Sequence, residues 1–125
     1  MGIRKIIFRG KRIDNGKWVY GFPFAYQARL VVEGIETWDG EKHRIDPLTV
    51  GQYIGLTDKN GKRIFEGDIV RCVSDATEHV FVVVWDPEEF GFKATNGKTN
   101  YGSSFVYLGN CEEIEIISNL HDNLQ

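Results

Sequence analysis

Three Asn-Gly pairs are the feature that most constrains how this chain can fold, and they are Asn15-Gly16, Asn60-Gly61 and Asn96-Gly97. Both residue types tolerate the positive φ that tight hairpin turns require. Strand-forming residues flank each pair, which is the strongest short-range signal for a hairpin. The chain is therefore predicted to fold as a series of antiparallel hairpins.

The first two hairpins can be assigned residue ranges. The first joins residues 5–12 to 17–22, and the second joins residues 52–56 to 62–65. In the second turn we expect the Asp58 side chain to accept hydrogen bonds from local backbone N–H groups. Strand alternation in the first hairpin places Trp18 and Tyr20 on one face.

Later segments are also strand-like. Residues 80–85 are apolar on both faces, which predicts a central strand with Trp85 in the core. Residues 113–117 alternate as a last strand, and strands at 91–95 and near 105–108 flank the third turn. Residues 86–89 suggest one helical turn, and residues 33–42 show no clear period, so they are interpreted as an irregular loop. The fold class is mainly β.

The two cysteines, Cys72 and Cys111, can form a disulfide or remain free. The first nine residues contain basic residues at Arg4, Lys5 and Arg9 and no apolar stretch long enough for a signal peptide. We therefore expect a cytoplasmic protein. That compartment is reducing, which favours free buried thiols. Neither cysteine belongs to a C-x-x-C pair, so neither a zinc site nor any other metal or cofactor is expected.

Several motifs resemble the YopX family of phage and prophage proteins. They are the block at residues 44–70, the segments at 8–11 and 14–21, and the ending at 117–123. The resemblance implies a phage-encoded protein of a bacterial host cell, mainly β, with a part similar to an SH3-like barrel and with no established activity. The residues agree with a barrel, because the strand beginning at Gly67-Asp68 is followed by hairpinned strands.

The predicted organisation is a single compact domain over residues 1–125. Residues 1–60 form an N-terminal β-hairpin region, and residues 61–125 form the SH3-like barrel region in the C-terminal half. A chain of this length can bury a core large enough for one domain.

The charge is unevenly distributed along the chain, although the net charge is only −3. Residues 1–63 contain 12 Lys and Arg against 7 Asp and Glu, whereas residues 64–125 contain 3 against 11. Such a split favours association between copies, basic part to acidic part, or contact of the basic part with a phosphate backbone. A homo-oligomer is the favoured partner, and a host or phage protein or a nucleic acid is an alternative.

The candidate binding surface is the first hairpin, where basic residues and two aromatic residues occur together. Charged residues on a strand also protect a sheet edge from unwanted pairing, so a simple solvated face is the competing interpretation. The candidate residues are Arg4, Lys5, Arg9, Lys11, Arg12, Lys17, Trp18 and Tyr20.

No catalytic residue is predicted. His121-Asp122-Asn123 is the most enzyme-like cluster, but adjacent side chains on an extended chain point apart, so a C-terminal turn explains them better. Cys72 and His79 would form a nucleophile and base only if the fold brought them together. The function expected is a non-catalytic binding or self-assembling module of a phage. The alternatives are a nucleic-acid-binding accessory and an enzyme with an unrecognised site.

Overall fold

The computed structural model describes residues 5–25, 31–74, 76–86, 91–95, 105–107, 111 and 113–122. In chain order these residues form β1 (Phe8–Lys11), β2 (Trp18–Phe24), β3 (Gly34–Glu36), β4 (Lys42–Arg44), a short 3₁₀ helix (Pro47–Thr49), β5 (Gly51–Thr57), β6 (Arg63–Phe65), β7 (Asp68–Ser74), β8 (Thr77–Asp86), β9 (Gly91–Thr95), β10 (Phe105–Tyr107) and β11 (Glu113–Asn119). The prediction of a mainly β, antiparallel fold is confirmed. Within these ranges, none of the chain forms a helix long and apolar enough to cross a membrane.

The chain divides into two compact units, Met1–Tyr53 and Ile54–Gln125. The boundary falls inside β5, so this strand contributes its first residues to one unit and its later residues to the other. The single domain divided near residue 60 stays a prediction. The two units are described separately below.

The first unit contains a sheet with the strand order β4-β3-β2-β1-β5. The first predicted hairpin is confirmed, because β1 and β2 pair with Lys11 opposite Trp18 and Gly16 adopts a φ of +71° in the turn. One side of the sheet covers a core of Val19, Ile35 and Ile45. The other side carries the aromatic residues that form the candidate site.

The prediction of an irregular loop at residues 33–42 is wrong. Strands β3 and β4 form a short hairpin there, with Ile35 opposite His43, and Ile35 is fully buried. Each strand has only three residues, so the alternation is too short to stand out in the sequence. The far end of β4 is held by a hydrogen bond from the Ile13 N–H to the Arg44 carbonyl.

The second unit is built on a five-stranded sheet with the order β10-β9-β8-β7-β11. The prediction that residues 80–85 form a central strand is confirmed, because β8 is the middle strand. The described residues do not show a closed barrel, and the SH3-like barrel stays a prediction. The third Asn-Gly pair and residues 87–89 of the suggested helical turn lie outside the described residues. The buried core consists of Ile64, Val70, Cys72, Phe81 and Val83.

The prediction that Trp85 lies in the core is wrong, because 45% of its surface is exposed. Phe81 and Val83 lie on the same face of β8 and are buried, but Trp85 is two residues farther along the strand. The ten-residue strand therefore extends beyond the core that its middle covers. The Trp85 ring makes an edge-to-face contact with Phe92 at 5.1 Å between centroids.

The prediction of free thiols is also wrong, because Cys72 and Cys111 form a disulfide with a Cα–Cα distance of 5.9 Å. Pairing of β7 with β11 places Ile114 opposite Cys72, and Cys111, which precedes β11 in the chain, reaches Cys72 from the segment before that strand. The two residues are 39 positions apart, so local sequence carried no sign of the pairing.

Candidate functional site

Four aromatic residues lie in a row along β2, at every second position. Because side chains alternate between the faces of a strand, Trp18, Tyr20, Phe22 and Phe24 share one face, while Val19 points into the core. Tyr20 and Phe22 are each 44% exposed. We call this side of the β1–β4 sheet the aromatic face.

Strand β1 adds two cations to the aromatic face. Arg9 lies opposite Tyr20 and Lys11 lies opposite Trp18, so their side chains project to the same side as the rings. The Arg9 guanidinium carbon lies 4.4 Å from the Trp18 ring centroid, and the Lys11 Nζ lies 5.5 Å from it. Both distances are within the range of cation–π attraction. Arg9 is only 6% exposed, so it supports Trp18 from within the protein.

Strands β3 and β4 continue the face on the other side of β2. Gly34 lies opposite Phe24, and a Cβ atom on Gly34 would come within 2.3 Å of the Phe24 ring. The absence of a side chain at Gly34 therefore lets the ring lie against the sheet. Register then places Arg44 beside Gly34, and Lys42 Nζ lies 5.6 Å from the Phe24 ring centroid.

The acidic side chain within these rows is Glu36, which lies opposite Phe22 and Lys42. Counting only the strand positions that share this face, four cations accompany one carboxylate. Burial of Arg9 leaves Lys11, Lys42 and Arg44 as the cations with access to solvent. The face is thus aromatic and basic.

A fifth ring, Trp38, is held at the border of the face by the turn between β3 and β4. Trp38 is 68% exposed and contacts Phe22 edge to face, with 5.0 Å between centroids. The turn is closed by a 2.8 Å hydrogen bond from the Thr37 N–H to the Glu41 carbonyl. The Thr37 hydroxyl donates to the Asp39 carboxylate and lowers the pKa of Asp39. These contacts keep Trp38 beside the row.

The sequence-predicted binding residues do not form one surface: some lie on the aromatic face, two are exposed lysines, and Arg12 is paired with Asp14. Arg9, Lys11, Trp18 and Tyr20 come together on the aromatic face, and Lys5 and Lys17 are exposed. Arg12 donates two hydrogen bonds, of 2.9 and 2.6 Å, to Asp14. This pairing lowers the pKa of Asp14 and raises that of Arg12. Arg4 lies outside the described residues.

Sequence reasoning missed five residues of the site, namely Phe22, Phe24, Trp38, Lys42 and Arg44. A signal for the first two exists, because aromatic residues recur at period two from position 18 to position 24. Lys42 and Arg44 also alternate, but they belong to a strand that sequence reasoning placed at the border of a loop. Their approach to β2 depends on the β3–β4 hairpin.

A cleft of about 490 Å³ opens along the outer side of β4. Its lining includes Lys42, His43 and Arg44 from β4, with Ile13 and Asp14 from the first turn. The His43 Nε2 lies 3.1 Å from a Glu41 carboxylate oxygen, and the Asp14 carboxylate is engaged by Arg12. Lys42 and Arg44 therefore supply the cationic groups of this cleft, next to the aromatic face.

Charged residues in the second unit form a network of mutual ion pairs. Lys59 pairs with Glu113 at 3.2 Å, and Arg71 pairs with Glu115 at 3.2 Å and with Glu78 at 3.4 Å. Each charge in the network has a partner of opposite sign, so the network is explained by its own pairing. In the described part of the chain, no cluster of three or more His, Cys, Asp or Glu is arranged to hold a metal ion.

The residues that the sequence marked as enzyme-like, around His121 and at Cys72, take part in a backbone turn and in a disulfide. Asn119 Oδ1 accepts hydrogen bonds from the backbone N–H groups of His121 and Asp122, at 2.9 and 2.8 Å. Asn119 Nδ2 also donates to the Asp122 carboxylate at 2.6 Å. Cys72 does lie opposite His79 on neighbouring strands, but its sulfur is bonded to Cys111. These contacts form a C-terminal turn and a disulfide.

Comparison with known proteins supports the resemblance carried by residues 44–70. The family model described as YopX protein matches residues 8–125, which is nearly the whole chain. The matched span begins at the first residue of β1 and includes the entire aromatic face. A search of curated proteins found no match to the chain.

Proposed function

We propose that this chain, which belongs to the YopX family, is a non-catalytic binding module whose contact surface is the aromatic face. The observation that carries the proposal is the exposure of Tyr20, Phe22 and Trp38, at 44%, 44% and 68%. Aromatic residues dominate the energetics of binding surfaces, because each buries a large area at a small cost in side-chain entropy. A contiguous exposed aromatic surface is therefore a feature that marks interaction.

A binding role also agrees with how the enzyme-like residues are used. Asn119 organises the turn that contains His121 and Asp122, and Cys72 is committed to a disulfide. A general base needs a ring nitrogen within reach of a reacting proton, and a nucleophilic cysteine needs a free thiolate. We propose an accessory role for a phage- or prophage-encoded protein in its bacterial host.

A capture experiment tests this proposal. The purified chain is used as bait in lysate from phage-infected host cells, with and without nuclease treatment. The double variant Phe22→Ala/Trp38→Ala removes two rings of the face, and Leu48→Ala is the matched control, because Leu48 is 84% exposed in the same unit. We expect the parent chain and the control to capture the same partner from the lysate, and the double variant to lose that partner. Equal capture by all three would remove the aromatic face from the proposal.

Self-association is the second candidate, and the charge of the two units supports it. Residues 1–53 contain 9 Lys and Arg against 6 Asp and Glu, a balance of +3, whereas residues 54–125 contain 6 against 12, a balance of −6. The first unit of one copy can therefore attract the second unit of another. Ultracentrifugation at low and high salt tests this, and the exposed Lys5→Glu/Lys17→Glu variant should weaken assembly. A strict monomer at low salt would rule it out.

A further inference from the structure

We infer that the aromatic face binds single-stranded nucleic acid, with bases stacked on the exposed rings and phosphates held by the neighbouring cations. This inference rests on the proposed function, because it names the ligand of the same surface. The rings are Tyr20, Phe22 and Trp38, which are the most exposed aromatic residues of the face. Base stacking on aromatic side chains is tolerant of sequence, since every base presents a π face.

The spacing of the rings favours single strands over duplexes. Alternate residues on a strand lie about 6.6–6.8 Å apart, so Tyr20 and Phe22 are separated by about twice the roughly 3.4 Å rise of stacked bases in a duplex strand. A base stacked on each ring must therefore leave the duplex stack. A single strand can splay its bases in this way, whereas paired bases are turned toward the duplex interior.

The cations are placed where a nucleic-acid backbone would pass. Lys11 lies near Trp18 on one side of β2, and Lys42 lies near Phe24 on the other. Arg44 and Lys42 also line the cleft of about 490 Å³ beside β4, which extends the basic surface past the last ring. Lys and Arg beside a stacking platform are the combination that single-strand-binding surfaces use.

The local charge also agrees with a polyanion, despite the net negative charge of the chain. The unit that carries the aromatic face has a balance of +3. The three solvent-accessible cations of the face, Lys11, Lys42 and Arg44, outnumber its single carboxylate, Glu36. Proline-rich peptides also dock on aromatic grooves, but they carry no phosphates for Lys42 and Arg44 to bind. A peptide ligand would therefore leave the basic component of the face unused.

Fluorescence anisotropy with a labelled 12-nucleotide single-stranded DNA of mixed sequence tests the inference. The same DNA as a duplex and an RNA of equivalent sequence are measured in parallel, at 50 and 200 mM salt. We expect the single strand to bind at least about tenfold more tightly than the duplex, and binding to weaken steeply with salt. RNA and DNA single strands should both bind, because stacking does not read the sugar.

Substitutions separate stacking from charge. Tyr20→Ala and Phe22→Ala should each weaken single-strand binding by about tenfold, and Phe22→Leu should do the same while keeping apolar bulk. Lys42→Gln should weaken binding modestly. It should also reduce the slope of the logarithm of the binding constant against the logarithm of salt concentration by about 1. Leu48→Ala should bind like the parent chain. Melting curves of every variant show that the fold is retained, and Phe22→Leu preserves the test if the Ala variants are unstable.

Two results would overturn the inference. One is the absence of single-strand binding at 50 mM salt. The other is equal affinity for single strand and duplex, with neither affinity changed by substitution of Tyr20 or Phe22. The capture experiment separates these failures from failure of the proposed function. If a protein is still captured after nuclease treatment, and its capture requires Phe22 and Trp38 while DNA and RNA do not bind, the aromatic face is a binding surface whose ligand is a protein. If neither assay depends on these rings, both proposals fail.

Discussion

The carboxylate of Asp58 accepts a 3.1 Å hydrogen bond from the backbone N–H of Ile116, a residue that is 58 positions later in the chain. The other oxygen of Asp58 accepts from the N–H groups of Asn60 and Lys62, each at 2.9 Å. One buried side chain therefore completes the β5–β6 turn and fastens it to β11.

Replacement of Asp58 should destabilise the second unit. Asp58→Ala leaves three partly buried backbone N–H groups without their acceptor, and we expect a loss of about 3 kcal/mol in the free energy of unfolding. The measurement is chemical denaturation followed by intrinsic fluorescence. Glu113→Ala is the control, because it removes an exposed carboxylate from β11, the strand that Asp58 contacts, and should cost less than about 1 kcal/mol. Equal losses for the two variants would contradict the structural role of Asp58.

Acid should remove the stabilisation that Asp58 provides. Burial alone would raise the pKa of Asp58, but hydrogen bonds from the N–H groups of Ile116, Lys62 and Asn60 hold it below its ordinary value of 3.8. The unfolded chain therefore takes up this proton more readily than the folded protein does. The stabilisation is complete above about pH 5 and is lost as the pH falls through the folded-state pKa. Denaturation midpoints between pH 7 and pH 3 should fall more steeply for the parent chain than for Asp58→Asn, and parallel curves would refute this.

The disulfide between Cys72 and Cys111 should contribute strongly to stability in the oxidised protein. Closing a loop between residues 39 positions apart restricts the unfolded chain, and the chain-entropy model gives about 4 kcal/mol. We expect a reductant to lower the denaturation midpoint of the parent chain by a corresponding amount. The Cys72→Ala/Cys111→Ala variant should be insensitive to reductant. A thiol assay of the unfolded, unreduced chain should find no free cysteine, and two free thiols would contradict the bond.

Trp85 and Phe81 should differ in their contribution to stability, although they lie on one face of the same strand. Trp85 is 45% exposed and Phe81 is 4% exposed. We expect Trp85→Ala to cost about 1 kcal/mol, mainly through its contact with Phe92, and Phe81→Ala to cost about 3–5 kcal/mol. Denaturant midpoints of the two purified variants decide this. A larger loss for Trp85→Ala would restore the prediction that Trp85 is a core residue.

The sequence by itself determined the first two Asn-Gly hairpins and the sharing of faces within each strand. Gly16 and Gly61 adopt the positive φ that the Asn-Gly pairs predicted, at +71° and +80°. Alternation along β2 likewise suffices to place Trp18 and Tyr20 on one face. These features depend on residues within a few positions of one another, so the physical rules that govern them can be applied along the chain.

The tertiary structure alone decided which distant residues meet. The pairing of Cys72 with Cys111, the contact of Asp58 with Ile116 and the approach of Lys42 to Phe24 all depend on strand register between segments far apart in the chain. The exposure of Trp85 was also decided by the tertiary structure, because it depends on where the core ends along β8 and not on the alternation of side chains along that strand. Register and core boundaries are set by the summed packing of many side chains, which local sequence patterns do not contain.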